Sequence, residues 1–312
     1  MYPTSTQKRH WTFADRAAIR AVRQRANDDY RRRFLPTVAD GDVESALLTV
    51  DDEEIFLRIV MDTGVRFGDD FRPPMWPSVR WIAFAYFKRF YLRYSPMEFS
   101  PKVIIQACYY LATKIDEFNV SITDFVENLS RGTARENSEQ ILKWEPIIIH
   151  RLDYQLTVHC PFRPFEGHLM ELKTHGMLGF DLEAIRPHAS EFFKKCLCGD
   201  VMLIYPPTQI ALAALSYGLN KLGKIADIFR EHIFRLCQVD QWKPNAENST
   251  LADKLMLRVE EICQLVEEQG APVPQEQKTA LQQKMERFAK ISDRLQPASA
   301  QNETVPVDSD DE

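Results

Sequence analysis

Apolar side chains recur at helical spacing along most of the chain, and no stretch alternates apolar and polar residues strictly enough to indicate a β-strand. Near the N terminus, small or aromatic side chains repeat every fourth residue from Ala18 to Tyr30. This pattern predicts an amphipathic, arginine-coated helix at about 13–33, followed by a connecting loop at 36–50. We therefore expect an all-α protein.

Two further groups of helices follow this N-terminal region. Five helices are predicted between about 51 and 153, and one of them begins with Ser100 as N-cap and Pro101 at its first position. A similar pattern returns after Pro161, which suggests a duplicated five-helix unit. The second group is predicted at about 163–174, 181–203, 207–221, 225–237 and 251–268.

The C-terminal region divides into a helix and a tail. Apolar residues from Leu281 to Leu295 predict an amphipathic helix at about 275–295. The tail 297–312 has five acidic residues, no Lys or Arg and no aromatic residue, so it is expected to be disordered. Ser309 precedes three acidic residues and is a candidate phosphosite for an acidic-directed kinase, although such short patterns are often incidental.

The charge is unevenly distributed along the 312 residues, whose formal net charge is −6. Residues 1–33 hold nine Lys or Arg and three acids, so the remainder of the chain is strongly acidic. Phosphate binding depends on clustered Lys and Arg, so an acidic body argues against a direct nucleic-acid partner.

The sequence carries no motif of an enzyme, metal or cofactor site. None of the six cysteines forms a C-x-x-C pair, and we interpret them as reduced core thiols of an intracellular protein. No Cys/His set has zinc-ligand spacing, and no phosphate loop, dinucleotide fingerprint or nucleophile elbow is present. We expect no catalytic residues, no metal and no cofactor.

Residues 201–220 carry no charge, which raises the question of a membrane span. Pro206 and Pro207 interrupt the run, and about fourteen residues then remain as one helix, whereas a span needs roughly 20. A buried core helix is the better interpretation, so no membrane partner is expected.

Two charged side chains interrupt otherwise apolar helix faces. Lys114 lies in the last turn of the helix that begins at Ser100, and Glu145 falls on a stripe with Ile141 and Ile149. A carboxylate buried without a partner costs several kcal/mol, so Glu145 must pair internally, lie at an exposed groove or meet another protein. Lys114 is its candidate mate across a helix interface. Capping the negative end of its own helix is the alternative role for Lys114.

Four segments resemble segments of the cyclins, in the same order along the chain. They are QKRHWTF (7–13), YFKRFYL (86–92), KIDEFNVS (114–121) and PFRPFEG (161–167). The resemblance covers roughly residues 1–296 and implies two tandem five-helix cyclin boxes, with N- and C-terminal helices packed on the first box. The implied divisions are an N-terminal arm and basic helix at 1–50, cyclin box 1 at 51–160, cyclin box 2 at 161–270, a C-terminal helix at 271–296 and a disordered acidic tail at 297–312.

The resemblance also implies a kinase-binding surface. Cyclins carry a lysine and a glutamate on the third and fifth helices of the first box, and these match Lys114 and Glu145. By the same alignment Leu111, Ile149 and Tyr154 would supply apolar contact with the kinase. Core packing is an equally good interpretation of those three residues.

The segments are most similar to those of cyclins that activate cyclin-dependent kinase 7. This implies a non-catalytic subunit that activates its kinase allosterically, alongside a RING-finger assembly subunit and the core of transcription factor IIH. Such a complex would phosphorylate other cyclin-dependent kinases and the RNA polymerase II tail, which implies a nuclear location.

Two features of the sequence leave alternatives open. Pro146 stands where similar cyclins are usually aliphatic, which puts the direction of Glu145 in question, and the M-R-A-I-L docking motif of cell-cycle cyclins is absent. The alternatives are another transcription-type cyclin, or a general transcription factor of the IIB kind. The latter also uses paired cyclin folds but would need a basic face on the repeats to bind DNA.

Overall fold

The computed structural model describes residues 2–35, 43–175, 179–239 and 246–295, and within these ranges the chain forms helices and turns with no strand. The all-α prediction is confirmed. Residues 36–42 of the predicted loop, the predicted acidic tail and its Ser309 lie outside the described residues.

The helices form an N-terminal group, two five-helix groups and a C-terminal helix. The N-terminal group comprises a 3-10 turn Tyr2–Thr4, α1 Thr6–His10, α2 Arg16–Phe34 and α3 Val43–Ala46. The first five-helix group is α4 Val50–Asp70, α5 Pro77–Tyr91, α6 Pro101–Ile115, α7 Ile122–Glu127 and α8 Ala134–Arg151. The second five-helix group is α9 Phe162–His175, α10 Ile185–Leu197, α12 Pro207–Lys221, α13 Ile225–Leu236 and α14 Ala246–Gly270, with the single turn α11 Val201–Ile204 between α10 and α12. It is followed by α15 Gln275–Leu295.

Local sequence explains where most helices begin. Thr49 and Thr133 form capping boxes with the acid three residues later, and α5, α6 and α12 each begin with proline. Ser100 occupies the predicted N-cap position of α6, but its hydroxyl makes no capping hydrogen bond. The fixed backbone of Pro101 is therefore the local feature that favours the start of α6.

One central helix in each group organises its core. Helix α6 packs against α4, α5 and α8, and α12 packs against α9, α10, α13 and α14. Most side chains of both helices are buried, and the apolar clusters of the two groups are continuous with each other. The predicted burial of the uncharged segment around α12 is thus confirmed, and none of the described helices has the length and apolarity needed to cross a bilayer.

The prediction of a single helix at 181–203 is wrong. A 3-10 turn, Leu182–Ala184, precedes α10, and a break in the helix at residues 198–200 separates α10 from α11. The carbonyls of Cys196 and Gly199 accept hydrogen bonds from the ammonium of Lys88 on α5. A Cβ on Gly199 would lie 2.4 Å from an oxygen of Gln269, so this close approach of the backbone requires glycine. Tertiary contacts therefore override the local preference for helix.

A buried ionic cluster at this break joins the two five-helix groups. Arg23 of α2 donates to both oxygens of Asp200, at 2.7 and 3.3 Å. Gln269 donates to Asp200 at 3.2 Å and accepts its backbone N–H at 2.7 Å. Burial lowers the pKa of Lys88 to about 8, against the opposing effect of the Asp200 charge. Burial alone would raise the pKa of Asp200, but Arg23 outweighs it and holds that pKa below its usual value.

The arginines of α2 bind this chain's own acids and carbonyls. Arg16 pairs with Glu268 at 2.8 Å, Arg20 with Asp51 at 2.6 Å and Arg33 with Glu98 at 2.7 Å. Arg31 donates to the carbonyls of Leu47 and Leu48. Helix α2 therefore contacts both groups, whereas the resemblance implied packing on the first alone. Helix α15 does pack on the first group, through α4, and it also contacts α3 of the N-terminal group.

A buried histidine pair joins α9 to α13. The Nε2 atom of His232 lies 3.1 Å from Nδ1 of His168, and His232 is fully buried. Burial, aided by His168 and Arg235, lowers the pKa of His232 to about 4 from a usual 6.5. Burial also lowers the pKa of His168. Both rings are therefore neutral at physiological pH.

Asp200→Asn should destabilise the fold by about 3 kcal/mol, because it removes the closer counter-charge of the buried Arg23 guanidinium and leaves only Glu54, at 3.4 Å. The free energy of unfolding in urea measures this. Glu268→Gln is the matched control, since it removes an exposed partner of Arg16 and should cost less than about 1 kcal/mol. Equal effects of the two variants would contradict the assignment of a buried cluster.

The free energy of unfolding should fall as the pH drops from about 6.5 to about 4. In that window the unfolded chain binds protons that the folded His232 refuses, so the folded state loses roughly 2 kcal/mol. His232→Gln should flatten the slope in urea titrations across this range, while His10→Gln, at an exposed position, should leave it unchanged. An unaltered slope in His232→Gln would contradict the assignment.

Candidate functional site

Lys114 and Glu145 meet between α6 and α8. The Lys114 ammonium lies 2.7 and 2.8 Å from the two oxygens of the Glu145 carboxylate. The lysine side chain is 47% exposed and the glutamate side chain is 11% exposed, so the pair opens to solvent on the lysine side. The predicted pairing of these two residues across a helix interface is confirmed.

The pair is held in place by the packing of the first group. Tyr110 lies one turn before Lys114, and its ring centroid is 4.6 Å from the ammonium. Tyr110 is itself fixed by an edge contact with Phe125 of α7, at 5.4 Å between ring centroids. Because the lysine reaches back over Tyr110 toward Glu145, the structure favours the ion pair over capping of the α6 end.

Pro146 lies inside α8, which continues from Ala134 to Arg151. Glu145 still points toward α6, so the proline does not turn it away from Lys114. Proline has no N–H, so residue 146 does not donate the usual helical hydrogen bond to the carbonyl of Leu142.

The three apolar residues predicted to flank the pair differ in exposure. Leu111 is only 2% exposed, which favours the core-packing interpretation of this residue. Ile149 is half-buried against the core, and Tyr154 is 70% exposed. Ile149 and Tyr154 are thus accessible to a partner, while Leu111 is buried on the core side of α6.

Two apolar side chains beside the pair were missed in the sequence. Leu142 is 45% exposed and precedes Glu145 by one turn on the same face of α8, and Ile115 follows Lys114 and is 42% exposed. The helical spacing of Leu142, Glu145 and Ile149 was the signal that could have identified Leu142. Together these residues surround a charged pair with apolar surface, which is suited to binding another protein.

The arrangement offers several hydrogen-bonding groups to a partner. The Lys114 ammonium has three N–H donors, more than the single carboxylate of Glu145 occupies. The ammonium is therefore suited to bind backbone carbonyls at the end of a partner helix. The Glu145 carboxylate can accept from partner N–H groups.

The groups with strongly shifted pKa values lie away from this surface. Lys88 lies at the junction of the two five-helix groups and His232 lies in the second group. Glu53, whose pKa burial raises to about 7, lies near the N-terminal end of α4 and accepts a hydrogen bond from the Ser95 hydroxyl. No set of three or more His, Cys, Asp or Glu side chains in the described ranges is placed to hold a metal ion.

Comparison with known proteins identifies the family. The model of the cyclin C-terminal domain matches residues 160–267. Cyclin-H of Xenopus laevis is 38% identical over 225 residues, which cover 72% of this chain and 70% of the Xenopus protein. This chain belongs to the cyclin H family. The predicted family is confirmed, and with it the general function of a cyclin that regulates a cyclin-dependent kinase.

Two solved structures share the cyclin fold of this chain. The structure of the CAK complex from Chaetomium thermophilum bound to ATP-γ-S contains a chain with a TM-score of 0.74 and 22% identity, covering 100% of this cyclin and 97% of that chain. The cryo-EM structure of the yeast TFIIK (Kin28/Ccl1/Tfb3) complex contains one with a TM-score of 0.65 and 19% identity, covering 85% and 100%. At these identities the likeness confirms two cyclin boxes as the fold.

Tyr154 carries a conformational cost that is separate from any contact it makes. Its backbone φ is +57°, in the left-handed region that favours glycine, although its side chain is exposed. Folding gains little from an exposed aromatic ring in this conformation. Such strain is often found at residues retained for binding.

The free energy of unfolding of Tyr154→Gly should be about 1 kcal/mol higher than that of Tyr154→Ala. Both variants remove the ring, but only glycine adopts this φ without strain. Urea unfolding of the two variants measures the difference. Equal stabilities would show that the backbone conformation of Tyr154 carries no cost.

Proposed function

We propose that this cyclin binds and allosterically activates a cyclin-dependent kinase through the surface centred on Lys114 and Glu145. The observation that carries the proposal is the half-exposed ion pair, flanked by Leu142, Ile149 and Ile115, in a chain of the cyclin H family. Tyr154 extends the same surface at the end of α8. The chain itself contributes no catalytic residue and acts as the regulatory subunit.

Activation follows from differential binding. Protein kinases require an ion pair between a strand lysine and a glutamate on their mobile αC helix. A cyclin that binds the kinase better when this helix is turned inward shifts the population toward the active conformation. Lys114 and Glu145 supply fixed donors and acceptors for one position of the kinase helix, and the apolar residues around them exclude water from the contact.

The complex that we propose is a CDK-activating kinase associated with transcription factor IIH. The support comes from the relatives, since the solved complexes with this fold are a CAK complex and the yeast TFIIK complex of Kin28, Ccl1 and Tfb3. We extend this to a cyclin-dependent kinase 7-type partner, a RING-finger assembly subunit and the core of transcription factor IIH. The proposed location is the nucleus, where that complex would phosphorylate other cyclin-dependent kinases and the RNA polymerase II tail.

The DNA-binding alternative of the IIB kind draws no support from the structure. The most basic segment of the chain is α2, and its arginines Arg16, Arg20, Arg23 and Arg33 bind carboxylates of this same protein. Neutralised in this way, they do not offer the phosphate contacts that DNA binding requires.

Exchanging the two charges tests the kinase surface. The double variant Lys114→Glu, Glu145→Lys retains an internal ion pair, so it should fold, but it presents reversed charges to the kinase. We expect kinase affinity to fall at least about a hundredfold, since reversed charges at an interface cost several kcal/mol. Kinase activation should fall with it. Both are measured with the kinase of the same organism most similar to Kin28.

The matched control exchanges Arg135 and Glu139, an exposed ion pair at 2.8 Å on the same helix. Arg135→Glu, Glu139→Arg should bind and activate like the wild type. If the Lys114 and Glu145 exchange also behaved like the wild type while folding normally by circular dichroism, the proposed surface would be wrong.

A further inference from the structure

A groove with an aromatic floor lies where the two cyclin boxes meet. Helices α5, α9 and α10 line a cavity of about 210 Å³. Its floor is a set of edge-to-face rings, with Phe162 and Phe193 at 5.1 Å and Trp81 and Phe162 at 5.9 Å between centroids. Ser190 on α10 lines the open side and is exposed. The cavity has the size and chemistry to take one large apolar side chain.

The two ends of this junction groove differ in charge. At one end a single oxygen of Asp69 accepts from both Arg80 and Lys194, at 2.5 and 2.8 Å. One carboxylate thus serves two cations, and this end keeps a positive charge. At the other end Arg186 is bound by two carboxylates, Glu166 and Glu183.

The positive end is accessible. The Lys194 side chain is 43% exposed, so it can bind a second carboxylate without leaving Asp69. In a protein with a net charge of −6, a local positive end beside an apolar cavity is a distinctive surface. It complements a peptide that carries an acidic residue next to an apolar one.

The junction groove is separate from the proposed kinase surface. The former uses α5, α9 and α10, whereas Lys114 and Glu145 lie on α6 and α8. The two surfaces share no helix, so two partners can occupy them at once. The yeast TFIIK complex, which contains a chain with this fold, is made of three proteins, Kin28, Ccl1 and Tfb3.

We infer that the junction groove is the docking site for a segment of the third protein of the complex, with a large apolar side chain in the cavity and a carboxylate on Lys194. This inference rests on the proposed function, since it assumes a complex like that of Kin28, Ccl1 and Tfb3. The apolar anchor supplies affinity and the acidic residue fixes the direction of the segment in the groove.

Two variants of the full chain test the docking site. Lys194→Glu reverses the positive end, and Ser190→Trp fills the cavity from an exposed helix position. The binding of the same organism's protein most similar to Tfb3 is measured on the preassembled cyclin–kinase pair. Kinase binding to the cyclin is measured separately. Each variant should lower the affinity of the third protein for the cyclin–kinase pair at least about tenfold, in line with the cost of a lost interface anchor. The affinity of the cyclin for the kinase should stay within about twofold of the wild type.

Lys195→Glu is the matched control, because Lys195 is the next residue on α10, carries the same charge and bonds Glu191 and Tyr217 outside the groove. It should leave both affinities unchanged. Third-protein affinity within twofold of the wild type in both groove variants would overturn the inference. A loss of kinase affinity, or a change in self-association of the cyclin by light scattering, would assign the groove to another occupant and overturn it too.

The two proposals fail separately. If the exchange of Lys114 and Glu145 left kinase binding intact while the groove variants lost the third protein, the kinase surface would be wrong and the docking site would stand. The opposite pair of results would retain the kinase surface and remove the docking site.

Discussion

The buried contact of Arg23 with Asp200 is the interaction on which the arrangement of the two boxes depends. Burying either charge without the other would be strongly destabilising. Helix α2 of the N-terminal group must therefore lie against the helix interruption at residues 198–200, which contains Asp200. Lys88 from box 1 and Gln269 from α14 complete the cluster. Ionic groups with several fixed partners specify one geometry more strictly than apolar packing does, although they add little net stability.

This constraint explains why the N-terminal helix bridges both boxes. An amphipathic helix would gain apolar burial on either box, but the arginines of α2 find their partners on both, at Asp51 and Glu98 in the first and at Asp200 and Glu268 in the second. Part of the charge imbalance between the N-terminal region and the body is therefore compensated by ion pairs within the molecule. The basic helix α2 therefore connects the two boxes of this chain through its own ion pairs.

The sequence predicted local features better than long-range ones. Helical periodicity, proline at first helical positions and the central helices α6 and α12 follow from neighbouring residues, and so does the stripe that placed Glu145 opposite Lys114. The break at residues 198–200 was missed because its cause, the ammonium of Lys88, is more than a hundred residues away. Leu142 was missed because its exposure depends on which neighbouring helices pack against α8, and the sequence of α8 alone does not fix this.

Rigidity connects the junction to the proposed activity. A cyclin shifts the equilibrium between two kinase conformations only by the difference in its affinity for them. A surface that adapts to both conformations binds both equally well and produces no shift. Lys114 is held by Glu145 and Tyr110, which are in turn fixed by the packing of α6 against α8 and α7. The same reasoning applies to the junction groove, whose walls come from both boxes. A change in the angle between the boxes would alter the groove without touching α6 or α8, so the ionic cluster at Asp200 should matter more for a partner at the junction than for the kinase.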